Sequence, residues 1–336
     1  MADELRFAII GCGKIALRHA AQTKKYGKLV AVCDVVKESA DILAKQFSAK
    51  SYYGIDDLFV NEKNIDIACI CTPNWLHANH SIQSLKAGCH VLCEKPMAIS
   101  SVDGKKMIEA AEEADKKLFI VKSTRYNSAL IAVKEFLTQR DAGVLYSFQL
   151  NCFWNRPAAY YNSSWKGKLK TDGGTLFTQF SHYIDALLWL LGDIKSVKGW
   201  RKNSAHQSII EFEDSGTVAV EMENGMIGGL NWSVNTFQKN MEVSLTIIAE
   251  KASIRIGGEY MNKIEYQLKD GIPLAVHGKD DANDYRLYQA SMSNHDKVYE
   301  NLVIALRNSP PSLSNAYDGL KTIETIEKIY NSVSLS

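Results

Sequence analysis

The sequence predicts an α/β protein in two parts. A doubly wound parallel sheet comes first, and an α+β region with an open, mainly antiparallel sheet follows. Three observations lead there. Short apolar runs alternate with helical stretches over the first third of the chain. The first of these runs ends in a glycine turn that opens a helix. From residue 145 the helical pattern gives way to successive strands divided by turn signals such as Asn224-Gly225. A chain of 336 residues is too long for one ordinary core. The expected domains are 1–122 and 123–336, with the last helices returning to the first domain.

Leu5 to Ile10 reads as a buried strand that runs into Gly11-Cys12-Gly13-Lys14-Ile15-Ala16, with a helix from about Lys14 to Lys25. This is the G-x-G-x-x-G/A pattern in its required setting, strand before and helix after. Gly11 permits the tight turn, Gly13 lets backbone approach a pyrophosphate, and Ala16 lets helix pack on strand. The helix N-terminus, with Lys14 and Ile15, offers N–H donors to phosphate. Leu29 to Cys33 is a second strand, ended by Asp34, about 20 residues after Gly13, where an acidic residue bonds the adenosine ribose. A carboxylate there repels a 2′-phosphate, so the expected cofactor is NAD rather than NADP.

A helix over Glu38–Phe47 and a short strand near Ser51–Tyr53 continue the alternation. Ile67 to Cys71 is the next strand. Its end, Thr72-Pro73-Asn74-Trp75-Leu76-His77, suits a loop passing close to a cofactor, and His77 falls in the first turn of a helix over Trp75–Ala87. The strand His90-Val91-Leu92-Cys93 then presents Glu94-Lys95-Pro96. Ligands of open parallel sheets bind beyond the carboxyl ends of the strands, which places this pair for chemistry. The bland alternative is a solvated turn with two surface charges. A helix over Ser101–Ala114 and the strand Leu118–Val121 complete the region.

Beyond Lys122, a helix is expected over Arg125–Gln139 and a strand over Leu145–Trp154. A polar and aromatic loop follows, holding Arg156, Tyr160 and Trp165. Asp172-Gly173-Gly174 leads into a helix with Thr178, Gln179, His182 and Asp185. Thr178 and His182 are four apart and His182 and Asp185 three apart, so each pair shares a helix face. His182 could equally be a satisfied core histidine, but the paired glycines suggest a close approach of backbone to something. Further strands are expected at Ile209–Phe212, Val218–Met222, Gly228–Trp232, Glu242–Ile248 and Ser253–Ile256. Helices over Tyr285–Leu306 and Tyr317–Ser332 close the chain. The open face of such a sheet needs a cover, for which a homo-oligomer, dimer or tetramer, is the natural candidate.

Composition narrows the function classes. Lys+Arg 39 against Asp+Glu 38 leaves a formal net charge of +1, which advertises neither nucleic acid nor anionic membrane. No run approaches the ~20 apolar residues of a membrane span, and the acidic start, Asp3-Glu4, is unlike a signal peptide. Seven cysteines without a Cys-x-x-Cys point to reduced thiols in a cytoplasmic protein, with no disulfide framework and no metal site.

Gly11-Cys12-Gly13, Thr72-Pro73-Asn74, Glu94-Lys95-Pro96 and Gly173-Gly174 with His182 and Asp185 together resemble the Gfo/Idh/MocA oxidoreductase family across nearly the whole chain. The resemblance implies a Rossmann-type NAD-binding domain, an α/β substrate domain, and NAD(P)-dependent oxidation or reduction of a sugar or cyclitol carbon. Asn155-Arg156-Pro157 with Tyr160-Tyr161, Ser164-Trp165-Lys166-Gly167 and Ser293-Asn294-His295-Asp296 look more narrowly like the branch acting on the 3-hydroxyl of UDP-N-acetylglucosamine or its uronic acid, in cell-surface polysaccharide biosynthesis. Thr178 stands where the inositol dehydrogenase branch places an aspartate.

In this reading His182 is the base, since its unperturbed pKa of ~6.5 suits proton transfer near neutrality. Lys95 bonds the reacting oxygen or shares the proton, Thr178 adds a hydroxyl, and Glu94 orients the site or the nicotinamide ribose. Arg125, Arg156, Tyr160 and His295 are candidate substrate contacts. Gly11, Gly13, Lys14, Ile15, Asp34, Thr72, Pro73, Asn74, His77, Glu94, Lys95 and Trp165 are expected on the cofactor. A free-sugar or cyclitol dehydrogenase, a redox-cycling glycosidase and a non-catalytic NAD-binding regulator are the rival readings.

Overall fold

The computed structural model describes residues 4–139, 142–163, 165–269, 274–275, 282–284, 289–292, 294–307 and 315–335. They fall into two compact units, Met1–Val121 with His295–Ile323, and Lys122–Asn294 with Glu324–Ser336.

In the first unit, strands β1 (Leu5–Ile10), β2 (Gly27–Cys33), β3 (Lys50–Tyr52), β4 (Ile67–Ile70), β5 (His90–Cys93) and β6 (Leu118–Ile120) form one parallel sheet in the order β3-β2-β1-β4-β5-β6. Helices α1 (Ala16–Tyr26), α2 (Lys37–Phe47), α3 (Ile55–Asn61), α4 (His77–Lys86) and α5 (Ser101–Glu113) supply the crossovers. Continuous apolar runs form the central strands because both faces are covered, and β4 is buried at every residue. Each large apolar side chain buried this way contributes roughly 1.5–3 kcal/mol. The strand order reverses between β1 and β4, which puts the ligand crevice at their carboxyl ends. The short α3 is an element that the sequence pattern did not reveal.

The second unit contains α6 (Ser128–Thr138), β7 (Leu145–Phe153), the one-turn α7 (Leu169–Asp172), a π-turn over Leu176–Phe180 and α8 (Ser181–Leu191). Strands β8 (Ile194–Lys202), β9 (Ser215–Met222), β10 (Ile227–Ser233), β11 (Glu242–Ala249), β12 (Ser253–Gly257) and β13 (Lys263–Leu268) follow. With β7 they make a seven-stranded sheet, β13-β12-β11-β7-β10-β9-β8. Its pairs are antiparallel except the central β7–β10, which is parallel. Residues alternate along β7, with Phe148, Leu150 and Cys152 buried. On the opposite face Ile227 and Ile248 flank Ser147, and Trp200 lies in the row of Thr217, Asn231 and Asn151. Strands β14 (Ala282–Asp284) and β15 (Gln289–Met292) pair separately. Helix α9 (His295–Arg307) belongs to the first unit, and α10 (Ala316–Ser332) gives residues to both.

Two expected elements differ. Ile209–Phe212 is not a strand: Ile210 and Phe212 pack on Tyr161 in a small cluster of their own. The nearby Asp214 carboxylate instead collects the N–H groups of Ser204, Ala205 and His206. Apolar residues at spacing two serve a folded loop there. The helix expected from Tyr285 begins at His295, with strand at Gln289–Met292; residues 285–288 and Ser293 lie outside the described residues. Ser164 and Pro310-Pro311 lie outside them also.

Candidate active site

The first unit builds a nucleotide crevice from four strand ends. Gly11 leaves β1 at φ +94°, and a Cβ there would meet the backbone of Cys71 at 2.6 Å, so only glycine passes. Beside Gly13 there is open space. No side chain caps α1, so its positive dipole end is left for a phosphate, while the Ala16 and Arg18 N–H groups already donate to the Gly13 and Ile15 carbonyls. Asp34, at the end of β2, accepts Cys12 N–H at 2.7 Å and Val36 N–H at 2.8 Å. Its carboxylate is thereby fixed beside the glycine turn, with lone pairs left over for ribose hydroxyls. These features fit NAD: Gly11, Gly13, Lys14 and Ile15 would hold the pyrophosphate and Asp34 the ribose.

Past β4, Thr72, Pro73 and Asn74 turn into α4. His77 is 1% exposed, and its ring nitrogens lie 2.7 Å from the Pro96 carbonyl and 2.8 Å from the Thr72 carbonyl. Burial pulls its pKa down against those two carbonyls. Expected on the cofactor, His77 is instead a brace holding two strand-end loops to each other.

Glu94 ends β5 and is buried. Its Oε1 accepts His19 Nε2–H at 2.9 Å from α1 and His295 Nε2–H at 3.1 Å from α9, while Oε2 accepts the Lys95 backbone N–H at 3.1 Å. Burial by itself would raise this carboxyl, but the bonds from His19 and His295 hold it well below the usual range. Burial lowers the His19 pKa, against the pull of Glu94. The consistent state is therefore a carboxylate receiving an N–H from neutral His19. Behind it, Tyr299 Oη lies 2.9 Å from His19 Nδ1 and 3.1 Å from Cys69 Sγ. Burial pushes the Cys69 thiol up to about 12, so a protonated thiol, a phenol and an imidazole line up behind the carboxylate. The ligand atoms of His19, Glu94 and His295 lie within 4.8 Å of one another, a spacing that a metal ion also accepts; hydrogen bonds already account for the contacts to Glu94. His295, expected against substrate, lies 4% exposed beneath Glu94. Half-buried Lys95 follows on a turn secured through Glu94.

The second unit carries the histidine. His182 sits in the first turn of α8 and is buried. Thr178 lies one turn earlier, in the π-turn, a local geometry found often at functional sites. Thr178 donates to Asp172, touching both its carboxylate and its backbone carbonyl. Asp185, further along α8, is paired with Lys122 and takes the Arg125 guanidinium on both oxygens, at 2.7 and 2.8 Å. Burial would raise Asp185, but Lys122 and Arg125 hold it low. Arg125, expected on substrate, lays its fork on this carboxylate. Arg156 is 2% exposed, gives Nε–H to Gln179 at 2.6 Å and stacks over Trp154 and Tyr160 at 4.7 and 5.2 Å from their centres. Gln179 also donates to the Tyr160 hydroxyl at 2.8 Å. Trp165 is half-buried, with Lys166 Nζ 5.8 Å from its ring centre.

The paired glycines before His182 answer to packing. A Cβ on Gly174, at φ +124°, would meet the Tyr330 hydroxyl at 2.6 Å. That hydroxyl accepts Leu176 N–H and donates to Glu213. Sequence reasoning missed His19, Tyr299 and Lys122. His19 has a signal in hindsight: it is a buried polar residue on the apolar face of the first helix.

Residues 5–122 match the GFO/IDH/MocA oxidoreductase family, NAD-binding Rossmann fold, and residues 130–255 match the GFO/IDH/MocA C-terminal domain. The WlbA dehydrogenase from Chromobacterium violaceum, solved with NADH and UDP-GlcNAcA, is 33% identical with a TM-score of 0.88, over 99% of this chain and 94% of its own. The WlbA dehydrogenase from Bordetella pertussis, solved with the same two ligands, is 33% identical with a TM-score of 0.87, over 98% and 96%. The D-glucoside 3-dehydrogenase of Escherichia coli K12 is 25% identical over 98% of this chain and 96% of its own. No helix among the described residues is long and apolar enough to cross a membrane. With its nucleotide turn, its Glu94-Lys95 strand end and both domains matched, the chain belongs to the GFO/IDH/MocA oxidoreductase family and is an NAD-dependent dehydrogenase acting on CH–OH groups.

Proposed function

We propose that the protein oxidises the 3-hydroxyl of a UDP-activated amino sugar, UDP-N-acetylglucosaminuronate or UDP-N-acetylglucosamine. The observation that carries this reading is the 33% identity, over nearly the full length of both chains, to two dehydrogenases solved with UDP-GlcNAcA. When bound, NAD supplies the hydride acceptor. Lys95 hydrogen-bonds the reacting oxygen, and a ring nitrogen of His182 takes the hydroxyl proton as the alcohol becomes a ketone. Glu94 acts through the Lys95 backbone N–H that it accepts, and Thr178 adds a polar contact. The sheet face bearing the exposed Trp200 and Ile227 supports assembly into a homo-oligomer, whose size sedimentation measures; a monomer at working concentration would rule it out.

The test is NADH formation by purified protein with each UDP-sugar, with a simple glucoside as the competing substrate. Replacing Lys95 or His182 with Ala should lower kcat about 10²–10⁴-fold, the usual worth of acid–base catalysis. Full activity in both variants sinks the assigned roles. Preference for the glucoside sinks the substrate.

A further inference from the structure

The Thr178 hydroxyl faces two acceptors of one residue. Its Oγ1 touches the Asp172 carboxylate at Oδ1 and lies 2.9 Å from the Asp172 carbonyl oxygen. Asp172 itself is 1% exposed, and its other oxygen accepts Gly167 N–H at 2.8 Å. A hydroxyl owns one proton and two lone pairs. The carboxylate contact is the stronger of the two because it is charge-assisted, and either one takes the proton to Asp172. Toward every other side, half-buried Thr178 then presents lone pairs. It does so one helical turn before His182.

We propose that Asp172 is a positioning residue that makes Thr178 a one-way hydrogen-bond acceptor, receiving an O–H or N–H of the bound sugar beside the reacting centre. The proposal rests on the sugar-oxidation reading for its ligand, but the pairing of Asp172 with Thr178 stands on geometry within one unit. Asparagine at 172 cannot replace the aspartate: its amide group offers one acceptor, while Thr178 O–H and Gly167 N–H demand two.

A double-mutant cycle tests this, with Asp172→Asn, Thr178→Val and the pair combined. Each single variant should lose roughly 10- to 100-fold in kcat/KM, the worth of one hydrogen bond to a charged group. The double variant should lose clearly less than the product of the two single losses, because the part of the Asp172 effect that runs through that hydroxyl is already gone in Thr178→Val, while the Gly167 N–H bond accounts for the rest. Thr178→Ser should restore most of the activity. Losses that simply multiply in the double variant, or wild-type rates in either single variant, overturn the proposal. The cycle is read on whichever sugar the wild-type protein turns over, so a wrong UDP-sugar assignment is seen separately. Urea midpoints of the same four proteins read the pair with no substrate present, and additive midpoints also overturn it.

Discussion

Two buried carboxylates lie close to the candidate catalytic residues, and they keep their charge by different means. Glu94 in the first unit is held by N–H groups of His19, His295 and the Lys95 backbone. Asp185 in the second unit is held by Lys122 and by both arms of Arg125. One is a carboxylate solvated by histidine dipoles, the other a carboxylate solvated by full cations. The cationic cage holds Asp185 below its ordinary 3.8, so that carboxylate keeps its charge across the neutral range. The histidine cage responds to pH through His19, whose pKa burial lowers from 6.5. The strand-end turn bearing Lys95 therefore rests on a support that contains a titrating histidine, and the helix bearing His182 on one that contains none.

The comparison breaks most sharply at Asp185. Asp185→Asn leaves buried Lys122 and half-buried Arg125 around a neutral amide, and breaking such a cluster costs about 3–5 kcal/mol. Its side chain and that of Lys122 are each only 7% exposed, so water does not screen the loss. We expect a large drop in the urea midpoint together with loss of near-ultraviolet signal from Trp189, over which Arg125 lies at 5.6 Å. An unchanged midpoint would show that the cations find other partners and that the cage is ornamental.

The pH response is the smaller effect and the sharper discriminator. His19 has a folded pKa below its ordinary 6.5. Between that lowered value and 6.5 the unfolded chain binds a proton that the folded chain refuses, so stability falls as pH falls through that window. Asp185 is depressed from 3.8, so its contribution is complete above 3.8 and is lost only in stronger acid. Glu94, depressed from 4.5, likewise keeps its contribution above 4.5. Between pH 7 and 5 the first unit should therefore soften first. Buried His77 and half-buried His80 and His90 add to the slope, and His206, raised by its bond to Asp214, opposes it. His19→Gln keeps an N–H for Glu94 but cannot titrate, so its melting temperature should fall less than wild type between pH 7 and 5. Hydrogen exchange along β5 should show the same difference. Equal slopes in the two proteins would remove His19 from this account.

The nucleotide half of the site was legible in sequence because its determinants are local. Gly11, Gly13 and Asp34 sit at strand ends, and each is recognisable from the few residues on either side. Glu94-Lys95 was legible for the same reason. The partners of Glu94 were not. His19 comes from α1 and His295 from α9, 75 and 201 residues away along the chain, and nothing local distinguishes them from surface or core histidines. His295 entered as a candidate substrate contact with the motif Ser293-Asn294-His295-Asp296, which carries no sign of the bond to Glu94.

The glycines before His182 carry the same lesson. Their pairing announced a close approach, and at Gly174 the approaching group proved to be Tyr330 from the last helix. Ile209–Phe212 shows the limit for elements, since apolar alternation satisfied by a three-residue cluster is indistinguishable in sequence from alternation satisfied by a sheet.

By itself, then, the sequence determined the parallel sheet, the glycine turn, the preference for NAD and the two strand-end charges, because periodicity and turn chemistry are properties of neighbouring residues. Only tertiary structure decided which groups hold Glu94 and Asp185 in their charged forms, and that Thr178 gives its proton to Asp172. Those depend on hydrogen-bond directions and on burial, which arise when distant segments exclude water from one another.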